Sequence, residues 1–297
     1  MSRRVWRPGL MWPGIQLRPT TWKDIDRIWR RILDLELNGK TAIVTGGSRG
    51  IGKAIARELA IEGVDVVIAA RGREALEATA SELAAETGRR IIPVTVDTGD
   101  DESVKAMVSQ AHKELGRIDI LVNNAAVVGG GPVPTLAEIT KDHLWADMNV
   151  KVMGYLRTVQ AVAPLMQAQG WGRIINISGM AARNAGSTIG SMRNVSVVAM
   201  TKNLANLLGP DGINVTVVHP GATRTERTAG IISERAAAEG VSEEVIEERM
   251  AGANSIKHFV DAREIAYVVT FLASPRAIAI NGDVIAAGGG LGAAIHY

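Results

Sequence analysis

The feature that most constrains the fold is a regular alternation of short β-branched runs with longer amphipathic stretches. We predict helices from Gly50, Glu74 and Glu102, a long helix ending near Gln169, and another ending at Leu208. The predicted strands are residues 41–45, 64–70, 91–96, 118–122, 173–177, 214–219 and 284–287. Strands separated by helices of this length are joined by right-handed crossovers into a parallel sheet. The pattern predicts an α/β fold, a doubly wound parallel seven-stranded sheet with helices on both faces, in a single domain.

The first 36 residues differ from the rest. They are rich in arginine and tryptophan, and three prolines interrupt the early part. We predict that residues 1–36 form an extension and that residues 37–297 form the domain. A helical apolar spacing over residues 21–35 favours packing on the chain's own subunit or a neighbour; the alternatives are membrane-surface binding or a start codon assigned too early. The Arg3-Arg4 pair lacks a following apolar region, so export is not expected.

Composition excludes several classes of function. The net charge is only +2, with much of the basic excess in the extension, so no nucleic-acid partner is expected. The absence of cysteine excludes disulfides and agrees with a cytoplasmic location. The five histidines lack metal-ligand spacing, so no metal site is predicted. No apolar run approaches the roughly 20 residues that a membrane span needs. The expected partner is a small molecule.

A glycine-rich turn follows the first predicted strand and opens the first helix. It reads Gly46-Gly47-Ser48-Arg49-Gly50-Ile51-Gly52. Glycines let a backbone approach a diphosphate closely, and a helix N-terminus offers unpaired N–H groups with a partial positive charge. Its place between strand and helix makes this motif specific for a dinucleotide.

With this turn the chain resembles the short-chain dehydrogenase/reductase family. Further marks are Asp97 after the third strand, Asn123-Asn124-Ala125-Ala126 after the fourth and Pro220-Gly221 after the sixth, so the resemblance spans about residues 37–290. It implies a Rossmann fold and a nicotinamide cofactor. The implied contacts are Gly46, Ser48, Gly50, Ile51 and Gly52 with the diphosphate, Asp97 and Thr98 with the adenine, Asn124, Ala125 and Ala126 with the ribose region, and Pro220, Gly221, Thr223 and Thr225 with the nicotinamide carboxamide.

The end of the second strand bears on the choice of cofactor. Arg71 stands where an NAD-preferring protein usually carries an acid for the ribose hydroxyls. Arg71, helped by Arg49, is suited to pair with a 2′-phosphate. NADP(H) is therefore favoured over NAD(H), the alternative being that both arginines are solvated surface residues.

The catalytic positions depart from the family pattern. The family uses a tyrosine as acid/base, a lysine four residues later, a serine and an asparagine. Aligned on Thr201-Lys202, the active-site helix places Gly190 at the tyrosine position and Asn194 at the lysine position. Gly179 occupies the serine position, with Ser178 one residue early and able to reach the site if the strand has already ended.

Two residues compete for the asparagine position. Asn149 matches by eye, whereas spacing back from Gly154 and Pro164 selects Lys151, which we prefer. Lysine and asparagine would then have exchanged helices, with Lys151 also beside the cofactor ribose. Tyr155, one helical turn after Lys151, is the nearest replacement acid, although an aromatic there is more often part of the core. Ser191 and Arg193 are further donors, and Arg193 is expected to face solvent or a subunit contact.

A charged helical segment at about residues 226–260 is expected to form a lid, the alternative being a surface helical pair. The resemblance implies a homodimer or homotetramer. We predict an NADP(H)-dependent oxidoreductase acting on a carbonyl or alcohol with an altered catalytic site. The alternatives are a dinucleotide-binding protein without redox activity, serving as sensor or scaffold, and a non-redox lyase or isomerase.

Overall fold

The computed structural model of the chain describes residues 34–126 and 134–292. Nearly all of the predicted extension, including most of its proposed helix over residues 21–35, lies outside the described residues. From Leu35 onward the chain forms one compact unit.

Seven parallel strands form one sheet, as the sequence pattern predicts. They are β1 (Thr41–Thr45), β2 (Asp65–Ala70), β3 (Ile91–Thr95), β4 (Ile120–Asn123), β5 (Gly172–Ile177), β6 (Ile213–Pro220) and β7 (Val284–Ala287). Their order across the sheet is β3-β2-β1-β4-β5-β6-β7. The order reverses between β1 and β4, and in sheets of this kind ligands bind at the carboxyl ends of the strands beside that reversal.

Helices cover both faces of this sheet. They are α1 (Gly50–Ile61), α2 (Arg73–Thr87), α3 (Asp101–Leu115), α4 (Lys141–Asp147), α5 (Gly154–Gln169), α6 (Thr188–Leu208), α7 (Thr228–Glu239), α8 (Glu243–Gly252) and α9 (Ala262–Leu272), with short 3₁₀ turns at Met180–Ala182, Gly209–Asp211 and Pro275–Ala277. Every predicted helix start lies within one residue of the observed one. The prediction of a doubly wound α/β domain is confirmed.

The core is split in two by the sheet. Strand residues alternate between an apolar cluster that α1 and α9 cover and a second cluster that α3 and α5 cover. Every residue of β1 is buried, so its sequence does not alternate between buried apolar and exposed polar residues as that of a half-exposed strand does. A core of this kind fixes the strand ends, which carry the functional residues.

A π-helical turn, Met148–Met153, joins α4 to α5. π-helical turns accommodate additional residues in a continuous helix and are common at functional sites. The turn packs against the loop after β3, where Thr98 Oγ1 donates a hydrogen bond to the Val150 carbonyl oxygen at 3.2 Å. Sequence patterns do not reveal such a turn, and it decides which side chains of the segment face the site.

The helices α7 and α8 have a small apolar core of their own. Ile232, Ala236, Ile246 and Phe259 are buried there, apart from the two main clusters. The predicted lid segment is therefore a helical pair that packs as a unit. Among the described helices, none combines the length and the apolar character required to span a bilayer.

Candidate functional site

A cleft of about 480 Å³ lies at the carboxyl ends of the strands, where the strand order reverses. Asn124, directly after β4, donates from Nδ2 to the carbonyl oxygens of Thr45 and Gly46, at 3.1 and 3.2 Å. The Thr45 hydroxyl in turn accepts hydrogen bonds from the backbone N–H groups of Asn124 and Ala125. These bonds tie the end of β4 to the glycine-rich turn and hold the floor of the cleft in place.

The glycine-rich turn is compact enough to exclude side chains at Gly46, Gly47 and Gly52. A Cβ on Gly46 would lie 2.8 Å from Asn124 Nδ2, and a Cβ on Gly52 would collide with the Gly46 carbonyl oxygen. Gly50 has a φ of +57°, in the left-handed region that favours glycine. Close packing and backbone conformation, rather than flexibility, therefore explain the glycines, and together they form a narrow cradle for an anion at the start of α1.

Most of the predicted cofactor-binding residues line this one cleft. They are Gly46, Ser48, Arg49, Gly50, Arg71, Asp97, Thr98, Asn124, Ala125, Ala126 and Thr225. The predicted contacts that do not line it are Ile51, Gly52, Lys151, Pro220, Gly221 and Thr223. Sequence reasoning missed Ala70, Gly72, Ala75, Val96, Val150, Glu226 and Arg227. Ala70 and Val96 are next to the predicted Arg71 and Asp97, whereas the others lie at or just before the starts of α2 and α7 and in the π-helical turn, and the fold brings them to the cleft.

Three arginines line the cleft: Arg49, Arg71 and Arg227. All three are exposed, and none forms an ion pair with another residue of the described segments, 34–126 and 134–292. Arginine guanidinium groups bind phosphates through charge-assisted hydrogen bonds. The cleft thus offers cationic groups for phosphates together with a cradle of backbone N–H groups, a donor set that fits a phosphorylated dinucleotide.

The two residues that compete for the family's asparagine position point to different neighbours. Lys151 is 4% exposed, and its Nζ donates to the Ser178 carbonyl oxygen at 3.0 Å. Asn149 instead donates to the Gly99 carbonyl oxygen at 3.2 Å, and its Oδ1 accepts from Arg157. Of the two, Lys151 is the one whose side chain reaches the turn after β5.

The pKa of Lys151 is lowered to about 7. Burial, which disfavours the ammonium form, is the largest cause; the nearby Arg193 guanidinium acts in the same direction, and the Asp147 carboxylate acts in the opposite direction. A lysine of this kind is present in both its charged and its neutral forms near neutral pH. Such a group is suited to proton transfer, in contrast to an exposed lysine that stays charged.

Asn194 meets the same turn from α6. Its Nδ2 lies 3.5 Å from the Gly179 carbonyl oxygen, and its backbone oxygen accepts from Ser178 Oγ at 3.2 Å. Because β5 ends at Ile177, Ser178 lies outside the strand, as its candidate role required. Lys151, Asn194 and Ser178 are therefore brought together at one turn, with the Ser178 hydroxyl already bonded to the backbone of α6.

Tyr155 takes a different position from the one that an acid would need. It is 1% exposed, and its hydroxyl donates to the Ile177 carbonyl oxygen at 2.9 Å. Burial raises the pKa of this phenol above its usual value. Both observations favour the alternative in which Tyr155 is a core residue.

The expectation that Arg193 points to solvent is wrong, because its side chain is mostly buried in an ion pair with Asp147. Its Nη1 lies 2.8 Å from both carboxylate oxygens of Asp147, and its Nε donates to Asn194 Oδ1 at 3.2 Å. The pair joins the end of α4 to α6 and fixes the orientation of the Asn194 amide. Sequence reasoning missed Asp147 entirely, because no spacing rule relates it to a residue 46 positions away.

His219, at the end of β6, completes the surroundings of the turn. It is buried, and its Nδ1 accepts a hydrogen bond from the Gly179 backbone N–H at 3.3 Å. This bond holds the turn after β5 against β6. The turn is thus fixed from three sides, by Lys151, by Asn194 and by His219.

Comparisons with known proteins agree with this geometry. Residues 40–236 match the family model described as short chain dehydrogenase. Over 257 residues the chain is 30% identical to the NADPH-dependent reductase BacG of Bacillus subtilis, covering 86% of this chain and 98% of that protein. L-Sorbose reductase from Gluconobacter frateurii, solved with NADPH and L-sorbose, superposes with a TM-score of 0.82 at 30% identity, over 87% of this chain and 98% of that one.

An NAD+-bound xylitol dehydrogenase has the same fold, with a TM-score of 0.78 at 26% identity over 86% of this chain and all of that one. Relatives of this fold therefore use either nicotinamide dinucleotide. The parallel sheet, the glycine cradle at the strand reversal and the match over residues 40–236 lead to one conclusion. The chain belongs to the short-chain dehydrogenase family.

Proposed function

We propose that the protein is an NADP(H)-dependent oxidoreductase that interconverts a carbonyl compound and its alcohol. The observation that carries the choice of cofactor is the set of arginines in the cleft, with Arg71 directly after β2. An acidic residue at that place would bind ribose hydroxyls and repel a 2′-phosphate, whereas an arginine attracts the phosphate. The NADPH-dependent reductase and the NADPH-bound sorbose reductase support the same choice.

In this proposal the cradle from Gly46 to Gly52 holds the diphosphate, Arg71 and Arg49 hold the 2′-phosphate, and Asp97 lies beside the adenine. When bound, the reduced cofactor supplies a hydride to the carbonyl carbon. Negative charge then develops on the carbonyl oxygen, and a nearby donor must stabilise it and supply a proton.

Lys151 is the group that we assign to this proton transfer. Its Nζ is within hydrogen-bond distance of the turn after β5, and its pKa of about 7 makes the ammonium form a proton donor at neutral pH. The ammonium gives one proton to the substrate oxygen and becomes a neutral amine, which regains a proton from water. The Asn194 amide, held by Arg193, provides a second, uncharged donor at the same turn.

The lid and the assembly complete the proposal. The helical pair α7–α8 has its own apolar core, so it is built to move over the substrate as a unit. We also propose a homodimer or homotetramer. Trp145, Met192 and Val195 on the packed helices α4 and α6 are large apolar side chains that are about half exposed or more, and a second copy would cover them.

The test of catalysis compares two neighbouring substitutions. NADPH oxidation is followed with a panel of ketones, aldehydes and quinones for the wild type, Lys151→Met and Asn149→Ala. Loss of a general acid lowers kcat by roughly 100-fold or more, whereas we expect Asn149→Ala to change it by less than about tenfold. Reductive turnover by the wild type should fall as the pH rises above about 7, where Lys151 loses its proton. The reverse ranking of the two variants would exclude Lys151 from the role.

The test of cofactor choice is Arg71→Asp. The ratio of NADPH to NADH affinity should fall by roughly tenfold or more, since a charge-assisted hydrogen bond contributes about 1.5–3 kcal/mol. An unchanged ratio would remove Arg71 from the site. Tight NADPH binding with no turnover across the panel would instead favour the dinucleotide-binding protein without redox activity, for which the glycine at position 190 is the supporting feature.

A further inference from the structure

The start of α1 receives its negative charge from a distant part of the chain. The Gly50 backbone N–H, at the first residue of the helix, donates to Glu226 Oε2 at 2.9 Å. The helix has no side-chain N-cap of its own and no acidic residue in its first turn. A carboxylate near a helix N-terminus satisfies an unpaired N–H and interacts favourably with the helix dipole. Glu226 therefore does from the loop before α7 what a local capping residue does in other helices.

Glu226 occupies the place that the proposed function gives to a phosphate. Both Gly50 and Glu226 line the cleft, and Gly50 belongs to the cradle assigned to the diphosphate. A carboxylate and a phosphate oxygen would compete for the same N–H donor, and two negative groups bound at one N–H would repel each other. We propose that Glu226 is an internal competitor of the dinucleotide diphosphate, and that it sets cofactor affinity by having to leave Gly50 before the cofactor binds. This inference rests on the proposed function.

The local structure allows Glu226 to leave without unfolding its loop. The neighbouring Arg224 N–H donates to the Val260 carbonyl oxygen at 2.8 Å, and the Thr225 N–H donates to Thr228 Oγ1 at 2.8 Å. The first bond fixes the backbone before Glu226 and the second bridges across it to Thr228, whereas the Glu226 residue itself is exposed. A change of side-chain rotamer is therefore enough to free the Gly50 N–H.

The remaining charges of the cleft favour the exchange. Arg227 follows Glu226 and lines the same cleft as Arg49. Among the described residues, Glu226 bonds to the Gly50 N–H and forms no ion pair with either arginine. The two guanidinium groups therefore stay available to an incoming anion. Once displaced, the carboxylate has the exposed Arg227, which the proposed function does not assign to a phosphate, as a candidate partner at the same cleft.

Isothermal titration calorimetry of the full chain tests the proposal with three ligands. NADPH, inorganic pyrophosphate and adenosine 2′-monophosphate are titrated into the wild type, Glu226→Gln and Glu226→Ala. The control is Glu234→Gln, which removes the same charge from an exposed position on α7 that does not line the cleft. A charge-assisted hydrogen bond of about 1.5 kcal/mol corresponds to about a tenfold change in Kd.

The expected result is that both Glu226 variants bind NADPH and pyrophosphate about tenfold more tightly than the wild type. Adenosine 2′-monophosphate, which has no diphosphate, should bind within about twofold in all four proteins, and Glu234→Gln should behave like the wild type. Unchanged or weaker NADPH binding by both Glu226 variants overturns the inference alone, as does equal tightening of adenosine 2′-monophosphate, which would reveal a general charge effect. No NADPH binding by any folded variant overturns the proposed function and the inference with it.

Discussion

Replacing Lys151 by methionine should stabilise the protein while removing the proposed proton donor. Methionine has a similar length and no charge, and the Lys151 side chain is 4% exposed. The pKa of Lys151 is about 7 in the folded chain, against 10.5 for an unburied lysine. A difference of about 3.5 units, at about 1.4 kcal/mol per unit, makes the charged lysine unfavourable by about 5 kcal/mol. Loss of the hydrogen bond to the Ser178 carbonyl oxygen offsets about 1 kcal/mol of the gain.

The stability difference between Lys151→Met and the wild type should decrease as the pH rises. Below about pH 7 both the folded and the unfolded chain carry the Lys151 proton, so the penalty is constant. Between 7 and 10.5 the unfolded chain binds more protons, so the free energy of unfolding of the wild type rises with pH relative to that of the variant. Lys151→Met should therefore be more stable by about 3.5 kcal/mol at pH 6.5 and by less than about 1 kcal/mol at pH 9.5.

Urea denaturation at a series of pH values measures the difference directly. Lys113→Met is the control, because Lys113 is exposed in the last turn of α3 and should show a small difference that does not vary with pH. If the difference in free energy of unfolding between Lys151→Met and the wild type stays constant from pH 6.5 to 9.5, the lowered pKa of Lys151 is refuted, whatever the effect on turnover.

Two further predictions concern the surroundings of the same site. Asp147→Asn should lower the pKa of Lys151, because the Asp147 carboxylate favours the Lys151 ammonium, and Arg193→Gln should raise it, because the Arg193 guanidinium disfavours that ammonium. Each substitution should also destabilise the fold by about 3 kcal/mol, since it breaks a largely buried ion pair. The pH profile of kcat tests this, and shifts in the same direction would contradict it. Gly52→Ala should cost about 1–3 kcal/mol and weaken NADPH binding by at least tenfold, because the added Cβ collides with the Gly46 carbonyl oxygen. Gly72→Ala, at a cleft glycine with open space around the added Cβ, is the control in thermal melting and calorimetry, and equal losses in both variants would mean that the cradle is not tight.

The fold and the cleft could be predicted because their signals are local in sequence. A buried strand such as β1 is a short run of apolar and β-branched residues, and the turn at Gly46 follows it directly. The bond from Glu226 to Gly50 joins residues 176 positions apart, and nothing in either segment indicates it. The same holds for Asp147 and Arg193. Long-range polar pairs depend on how helices pack, and hydrophobic periodicity fixes which faces pack without fixing which side chains meet across them.

The two glycines that we align with the family's serine and tyrosine positions, Gly179 and Gly190, are both closely packed. Gly179 has a φ of 167°, which any residue adopts, so its backbone does not require glycine. A Cβ there would instead lie 3.1 Å from Asn194 Nδ2, so a serine at 179 would require the end of the Asn194 side chain to shift by a few tenths of an ångström. At Gly190 a Cβ would lie 3.0 Å from Ser187 Oγ, the oxygen that caps α6 by accepting from the Gly190 N–H. Gly179 is thus closely packed against Asn194 and Gly190 against Ser187, so a side chain introduced at either position would first have to shift that neighbour.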